Sequence, residues 1–218
     1  GGGVALSVHS AVVADAWQVV MANHQQFTLS ELHLEVRFLR KCMGCVLHSI
    51  LFNRYLRSTV PVRDTIDTDQ LDFLYVRGSD PQVAVAVEQG IEELCTVIRE
   101  AQTQATPQRK QIVVVRFMEK TVEKGMLGEK VKEVPFEEWR IPVECLPESS
   151  LRKSQEVVDQ VRNQLRTALR EILEHVKHTK HLPLSLRSVS FKVYTEKAGG
   201  TGIKGFFKVF FTGTDLAL

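Results

Sequence analysis

Stretches of period two and stretches of period near 3.6 follow one another along the chain, and their order sets out its elements. Phe27, Leu29, Leu32, Leu34 and Val36 fall on one side of an extended segment, with Glu31, His33 and Glu35 between them; this predicts a strand bulged near Ser30. Arg37 to Leu56 then takes helical spacing, with Leu39, Met43, Val46, Leu47, Ile50, Leu51 and Tyr55 on one stripe. Val60-Pro61 ends that helix, because proline lacks the amide hydrogen and restricts the residue before it. Leu71 to Arg77 is a second strand, rich in aromatic and branched residues. Asp80 as N-cap and Pro81 at the first helical position open the next helix, which buries Val83, Val87, Ile91, Leu94 and Ile98.

After a polar linker, Gln102 to Arg109, two long strands are expected at Ile112 to Phe117 and Glu138 to Glu144. A charged, glycine-containing connection carrying Gly125-Met126-Leu127-Gly128 lies between them. The longest helix runs from Ser149 or Ser150 to about Lys177, with Val158, Val161, Leu165, Leu169, Ile172 and Val176 as its core stripe. Two strands, Ser188 to Thr195 and Gly205 to Thr212, close the chain around a glycine-rich turn. Short links between neighbouring strands suit antiparallel pairing, so the class is α+β rather than parallel α/β.

A chain of 218 residues with 44% hydrophobic and 25% charged positions buries a sizeable core without a disulfide or metal staple. Its formal charge of +2, from 28 basic and 26 acidic residues, argues against a general attraction to nucleic acid. No apolar run reaches the roughly 18 to 20 residues that span a bilayer, so no integral membrane segment is expected. Gly1 to about residue 20 is read as a non-native or extension segment ahead of Met21, leaving 21–218 as the domain.

Each chemical candidate has a plainer reading beside it. Cys42 and Cys45 form a C-x-x-C pair inside a helix, where buried thiols act as small hydrophobes; no second ligand pair follows at zinc spacing. The stretch Ala198 to Gly205 resembles a phosphate loop, but Lys204 is followed by glycine and a strand, which suits a hairpin connection. His175, His178 and His181 suit surface positions at a helix C-terminus. Arg37, Arg40, Lys41, Arg54 and Arg57 read as a solvated face balanced by Asp64, Asp67, Asp69 and Asp72. No catalytic motif assembles, so no enzyme activity and no cofactor are expected. Met126 and Leu127, two large apolar residues at a loop tip, are either tucked back or offered to a partner.

One ordered set of segments carries a family likeness. His48-Ser49-Ile50-Leu51-Phe52-Asn53-Arg54 precedes Leu71-Asp72-Phe73-Leu74-Tyr75-Val76-Arg77 and Gly78-Ser79-Asp80-Pro81-Gln82-Val83. Val134-Pro135-Phe136-Glu137-Glu138-Trp139 and Lys180-His181-Leu182-Pro183 follow. From about Met21 to Leu218 this order and spacing resembles the autophagy-related protein 101 family, HORMA-domain subunits of the complex around the autophagy-initiating kinase. The resemblance implies a HORMA fold, three helices on a mainly antiparallel sheet, in a non-catalytic adaptor of the cytoplasm and the phagophore assembly site. It implies a heterodimer with the HORMA domain of autophagy-related protein 13, which this subunit stabilises. It also implies a recruiting finger, whose Trp-Phe pair falls on Met126 and Leu127, so the aromatic rings are missing here. The alternative within the same fold is a checkpoint or DNA-repair type HORMA protein that traps a partner peptide.

Overall fold

A computed structural model of the chain describes residues 24–54, 60–67, 71–102, 110–125, 128–147, 154–179, 189–197 and 203–209. The proposed extension, residues 1–20, lies outside them, as do Met126 and Leu127. The elements are β1 (Gln25–Thr28), β2 (Leu32–Glu35), α1 (Val36–Arg54), β3 (Pro61–Ile66), β4 (Phe73–Gly78), α2 (Pro81–Gln102), β5 (Lys110–Gly125), β6 (Gly128–Leu146), α3 (Ser154–His178), β7 (Val189–Lys197) and β8 (Ile203–Val209). The main sheet runs β1-β6-β5-β7-β8, with β2 also on β6, and β3 and β4 form a separate two-stranded sheet. The class is α+β, with three helices among the described residues packed on a mixed sheet. This layering is consistent with the HORMA-type fold expected above.

The bulged first strand is realised as two strands set end to end. Both β1 and β2 run parallel to β6; Thr28 pairs with Arg140 and Leu32 with Val143, leaving one extra residue on the β1–β2 side. The other pairings, β5 with β6, β5 with β7, β7 with β8 and β3 with β4, are antiparallel. The antiparallel β7–β8 pair supports a hairpin rather than a phosphate loop at its end, although residues 198–202 are not described.

Helix α1 lies at the centre of the fold. Phe38, Leu39, Cys42, Met43, Val46, Leu47, Ile50 and Leu51 are all buried, more of the helix than a single stripe supplies. It packs against α2, α3, β2, β6 and the β3–β4 hairpin. One apolar core joins these residues to Val113, Val115 and Phe117 of β5, Trp139, Ile141, Val143 and Cys145 of β6, and Phe191 and Val193 of β7. Alternation along the strands therefore turns one face of the sheet to the helices, while the other carries Arg116, Glu138 and Arg140 beside buried Val114, Met118 and Tyr194.

Local chemistry explains several boundaries. Asp80 caps α2, its Oδ1 accepting from the Gln82 amide at 2.8 Å. Asp72 has a φ of 37°, which the short polar side chain of aspartate tolerates, so β4 starts at Phe73 rather than Leu71. β3 has no counterpart among the expected elements: PVRDTI carries a proline and alternating charges, and it becomes a strand by pairing with β4. The outer side of β2 is closed by α3. The amide of His33 donates to Gln164 Oε1 at 2.6 Å, and Gln164 Nε2 donates to the His33 carbonyl at 3.2 Å.

Glycine at position 90 is dictated by packing. A Cβ there would stand 2.9 Å from Val193 Cγ1 and 3.3 Å from Val193 Cβ, closer than atoms in a packed core allow. Gly90→Leu is expected to destabilise the fold by about 1–3 kcal/mol, the usual overpacking loss. A lower urea midpoint with an unchanged slope would show it; an unchanged midpoint would mean that α2 is free to move off β7.

Candidate functional site: a projecting hairpin

The charged connection expected between the two central strands is itself strand. β5 and β6 pair continuously up to Gly125 opposite Gly128, on either side of Met126 and Leu127. Among the described residues, β7 accompanies β5 only from Gln111 to Glu119, and β1 accompanies β6 only from Glu137 to Arg140. From Lys120 to Gly125 the two arms have only each other as described strand partners, over about 20 Å at strand rise, while Lys192 of β7 reaches Glu133 at 3.4 Å. Period-two hydrophobicity misses such a segment because its alternation lies between charges.

Val134-Pro135-Phe136-Glu137-Glu138-Trp139 forms the base of this ribbon, each residue with its own task. The register shifts between Phe117 and Met118: Phe117 faces Glu137 and Met118 faces Pro135, so Phe136 is the extra residue of a bulge. Proline suits that place because it has no amide to give to the ladder, and a bulge twists and re-aims the strand beyond it. The Phe136 ring stays at the core, its centroid 6.2 Å from that of Phe117.

Glu137 is buried, 1% exposed, and held from two sides. Arg54, at the end of α1, donates from Nε to Glu137 Oε1 at 2.7 Å and forms a second bond from Nη2 to Oε2. The Trp139 indole donates to Glu137 Oε1 at 2.6 Å. Trp139 in turn packs against Phe27 (centroids 4.7 Å apart) and meets the His175 ring edge-on at 5.8 Å.

On the opposite face Glu138 lies between two guanidinium groups. Arg116 Nε donates to Oε2 at 2.8 Å and Arg140 Nη1 to Oε1 at 3.0 Å, while Arg140 also reaches Glu196 at 2.6 Å. Burial acts to raise the Glu138 pKa, but the bonds from the two arginines outweigh it and hold the carboxyl below its usual range. Arg116 also lies over the Tyr194 ring, 5.1 Å from its centroid. The base of the ribbon is thus fixed to the helices by Glu137 and to the sheet's charged face by Glu138.

A second exposed feature lies on the β3–β4 hairpin. Its inner side packs on α1, where His48 stacks on Tyr75 with centroids 6.4 Å apart. Asp64 there accepts from Tyr75 at 3.2 Å and from Arg77 at 2.8 Å. Burial and the nearby Arg77 lower the His48 pKa to about 4, so its ring is neutral near pH 7. The outer side shows Leu74 at 59% and Val76 at 38% exposure, with Val60 at 67% at the hairpin's end. Leu74 and Val76, two apart on β4, lie on the same side of that strand.

The other expected sites fare differently. Cys42 and Cys45 are buried free thiols; burial pushes Cys42 up to about 12, and burial with the neighbouring Cys42 pushes Cys45 higher still. Neither is poised as a nucleophile. The solvated basic face holds only in part: Lys41 is exposed, Arg57 lies outside the described residues, and the others have partners. Arg54 is buried on Glu137, Arg40 bridges Glu88 and Glu92 of α2, and Arg37 holds Glu35 at 2.9 Å. Asp64, one of the residues expected to balance that face, serves Arg77 instead. His175 is tucked beside Phe27, at 4.9 Å, rather than lying free on the surface, His178 is exposed, and His181 is outside the described residues.

Sequence reasoning missed one cluster altogether. Register aligns His33, Glu144 and Lys110 across β2, β6 and β5. Glu31 joins them, and the ligand-type atoms of Glu31, His33 and Glu144 lie within 4.8 Å of one another. Lys110 Nζ already lies 3.0 Å from Glu31 and 3.8 Å from Glu144, which makes this an ionic tie between strand ends. Nothing in the spacing of residues 31, 33, 110 and 144 signals it.

Glu137→Gln is expected to lower stability by about 3–5 kcal/mol, because it leaves the Arg54 guanidinium buried without its counter-charge. Combining Arg54→Met with Glu137→Gln should recover part of that loss. Denaturant unfolding of the three variants checks this, and additive losses would mean that the pair is not coupled.

Comparison with known proteins fits this geometry to a family. A family model described as "Autophagy-related protein 101" matches residues 31–188, which takes in every element from β2 to α3. Autophagy-related protein 101 of Arabidopsis thaliana is 25% identical over 158 residues, covering 68% of this chain and 70% of the relative. The protein of the same name from Xenopus laevis is 25% identical over 165 residues, covering 70% and 72%.

Proposed function

The chain belongs to the autophagy-related protein 101 family, and from that premise we propose that it is a non-catalytic adaptor of the complex that initiates autophagy. The family gives it a role in autophagy; the division of labour on its surface is our inference. The ribbon carries the reading: two paired arms lead from a doubly anchored base to Met126 and Leu127. A loop between such arms suits the recruitment of downstream factors. Methionine and leucine fill an apolar pocket adaptably, though without the rigid rings that anchor the strongest contacts.

The partner we infer is the HORMA domain of autophagy-related protein 13, in a one-to-one complex within the autophagy-initiating kinase assembly, in the cytoplasm and at the phagophore assembly site. The exposed Leu74, Val76 and Val60 on the β3–β4 hairpin support an apolar contact of this kind. The charged clusters described above support a role without chemistry, since each carboxylate in them is matched by a cation. No described helix is long and apolar enough to cross a membrane.

Replacing Met126 and Leu127 by Asp is expected to abolish recruitment of downstream factors, read as loss of autophagosome formation in cells, while the melting temperature stays within a degree or two. A fall of many degrees would place the pair in the core and remove the recruiting role.

Leu74→Asp with Val76→Asp should weaken pairing with the partner HORMA domain by roughly tenfold or more, as loss of an apolar contact does. Titration calorimetry of the purified pair measures this. A wild-type chain that stays monomeric beside that domain would overturn the pairing.

A further inference from the structure

The ribbon's arms are almost wholly polar, and a two-stranded ribbon outside a sheet has little to hold it. The order of its charges is therefore informative. In the observed register Lys124 stands opposite Glu129, Glu123 opposite Lys130, and Lys120 opposite Glu133. Val122 faces Val131 between them. Opposite charges directly across a strand pair attract and like charges repel.

The same sequence slipped by one residue loses all of these pairs. Moved one way, Glu123 meets Glu129, Lys120 meets Lys132, and Glu119 meets Glu133. Moved the other way, Lys124 meets Lys130 and no opposite pair forms between Glu119 and Lys124 on one arm and their partners on the other. A one-residue slip also turns every side chain to the other face of a strand.

We infer that these charges are positioning residues, which fix the register of the ribbon and through it which two residues stand at its end. Gly125 pairs with Gly128, so in sequence Met126 and Leu127 are the two residues between the paired ends. A slip would centre the connection on one of the two and carry the other into an arm. The base anchors act on Glu137 and Glu138, beyond the bulge, and Lys192 of β7 holds Glu133 at 3.4 Å within the arm, so nearer the tip the choice falls to the charges of Glu123, Lys124, Glu129 and Lys130. The functional consequence rests on the proposed role of the tip; the register itself does not.

The test exchanges charges without changing composition. Glu123→Lys with Lys124→Glu places like charges opposite one another in the observed register and opposite charges in both slipped ones. Adding Glu129→Lys with Lys130→Glu restores the observed register. Cysteine pairs in the full chain report the outcome, since directly opposite residues lie within disulfide reach. Val122→Cys with Val131→Cys reports the observed register, and Thr121→Cys with Val131→Cys and Val122→Cys with Lys132→Cys report the two slips. Oxidative cross-linking at 122–131 should fall by roughly tenfold on the one-arm exchange, move to a slipped pair, and return with the second exchange. Undiminished 122–131 cross-linking in the one-arm variant would overturn the inference. A shifted register with autophagosome formation unchanged would uphold it while removing the recruiting role of the tip.

Discussion

The buried pair of Arg54 and Glu137 is the point through which the layers of this protein are joined. A carboxylate that is 1% exposed is tolerable only with a matched cation, and the guanidinium supplies one with directed bonds. Because Arg54 ends the central helix and Glu137 sits at the β6 bulge, the pair ties the end of α1 to the place where the ribbon leaves the sheet. The Trp139 indole completes the carboxylate's set and brings in β1 through Phe27. A wrong placement of α1 on the sheet would strand one of these charges, which is a strong constraint on how the two can meet.

Much of the fold is legible in the chain because burial is periodic. The stripes of α1, α2 and α3 and the Asp80 cap are local signals, and each stands where its pattern puts it. The bulge near Ser30 is also local, since the apolar phase slips there, and it reappears as the break between β1 and β2. What was illegible depends on pairing at a distance. β3 exists because β4 lies beside it, and the outer half of the β5–β6 ribbon because each arm supplies the other's hydrogen bonds. The fate of Arg54 shows the same limit. On a helix taken alone it belongs to a basic face, and only the meeting of residues 83 positions apart turns it inward. Met126 and Leu127 stood out as apolar residues between glycines in a charged stretch, but the paired arms on either side of them carry no such local signal.

The two faces of the sheet divide the work. Odd-numbered residues of β5 and β6 build the apolar layer under the helices, while Arg116, Glu138 and Arg140 form a lattice of charges on the reverse. That lattice takes part in the same bulge, so the ribbon's direction is set from both sides at once. The adaptor role proposed above would gain from this, since a contact at the end of a long lever is useful only if the fulcrum does not give.

The side chain of Gln164 has a consequence beyond the packing of α3. By giving and taking one hydrogen bond at His33, it imitates the neighbour that β2 would otherwise have. A bare strand margin is a template on which another chain can crystallise into fibrils, and in a crowded cell every copy carries the same one. With this margin occupied by a glutamine from its own helix, a chain meeting its twin edge-on there finds no vacant backbone at His33. High local concentration therefore does not by itself turn this end of the sheet into a seed for aggregation.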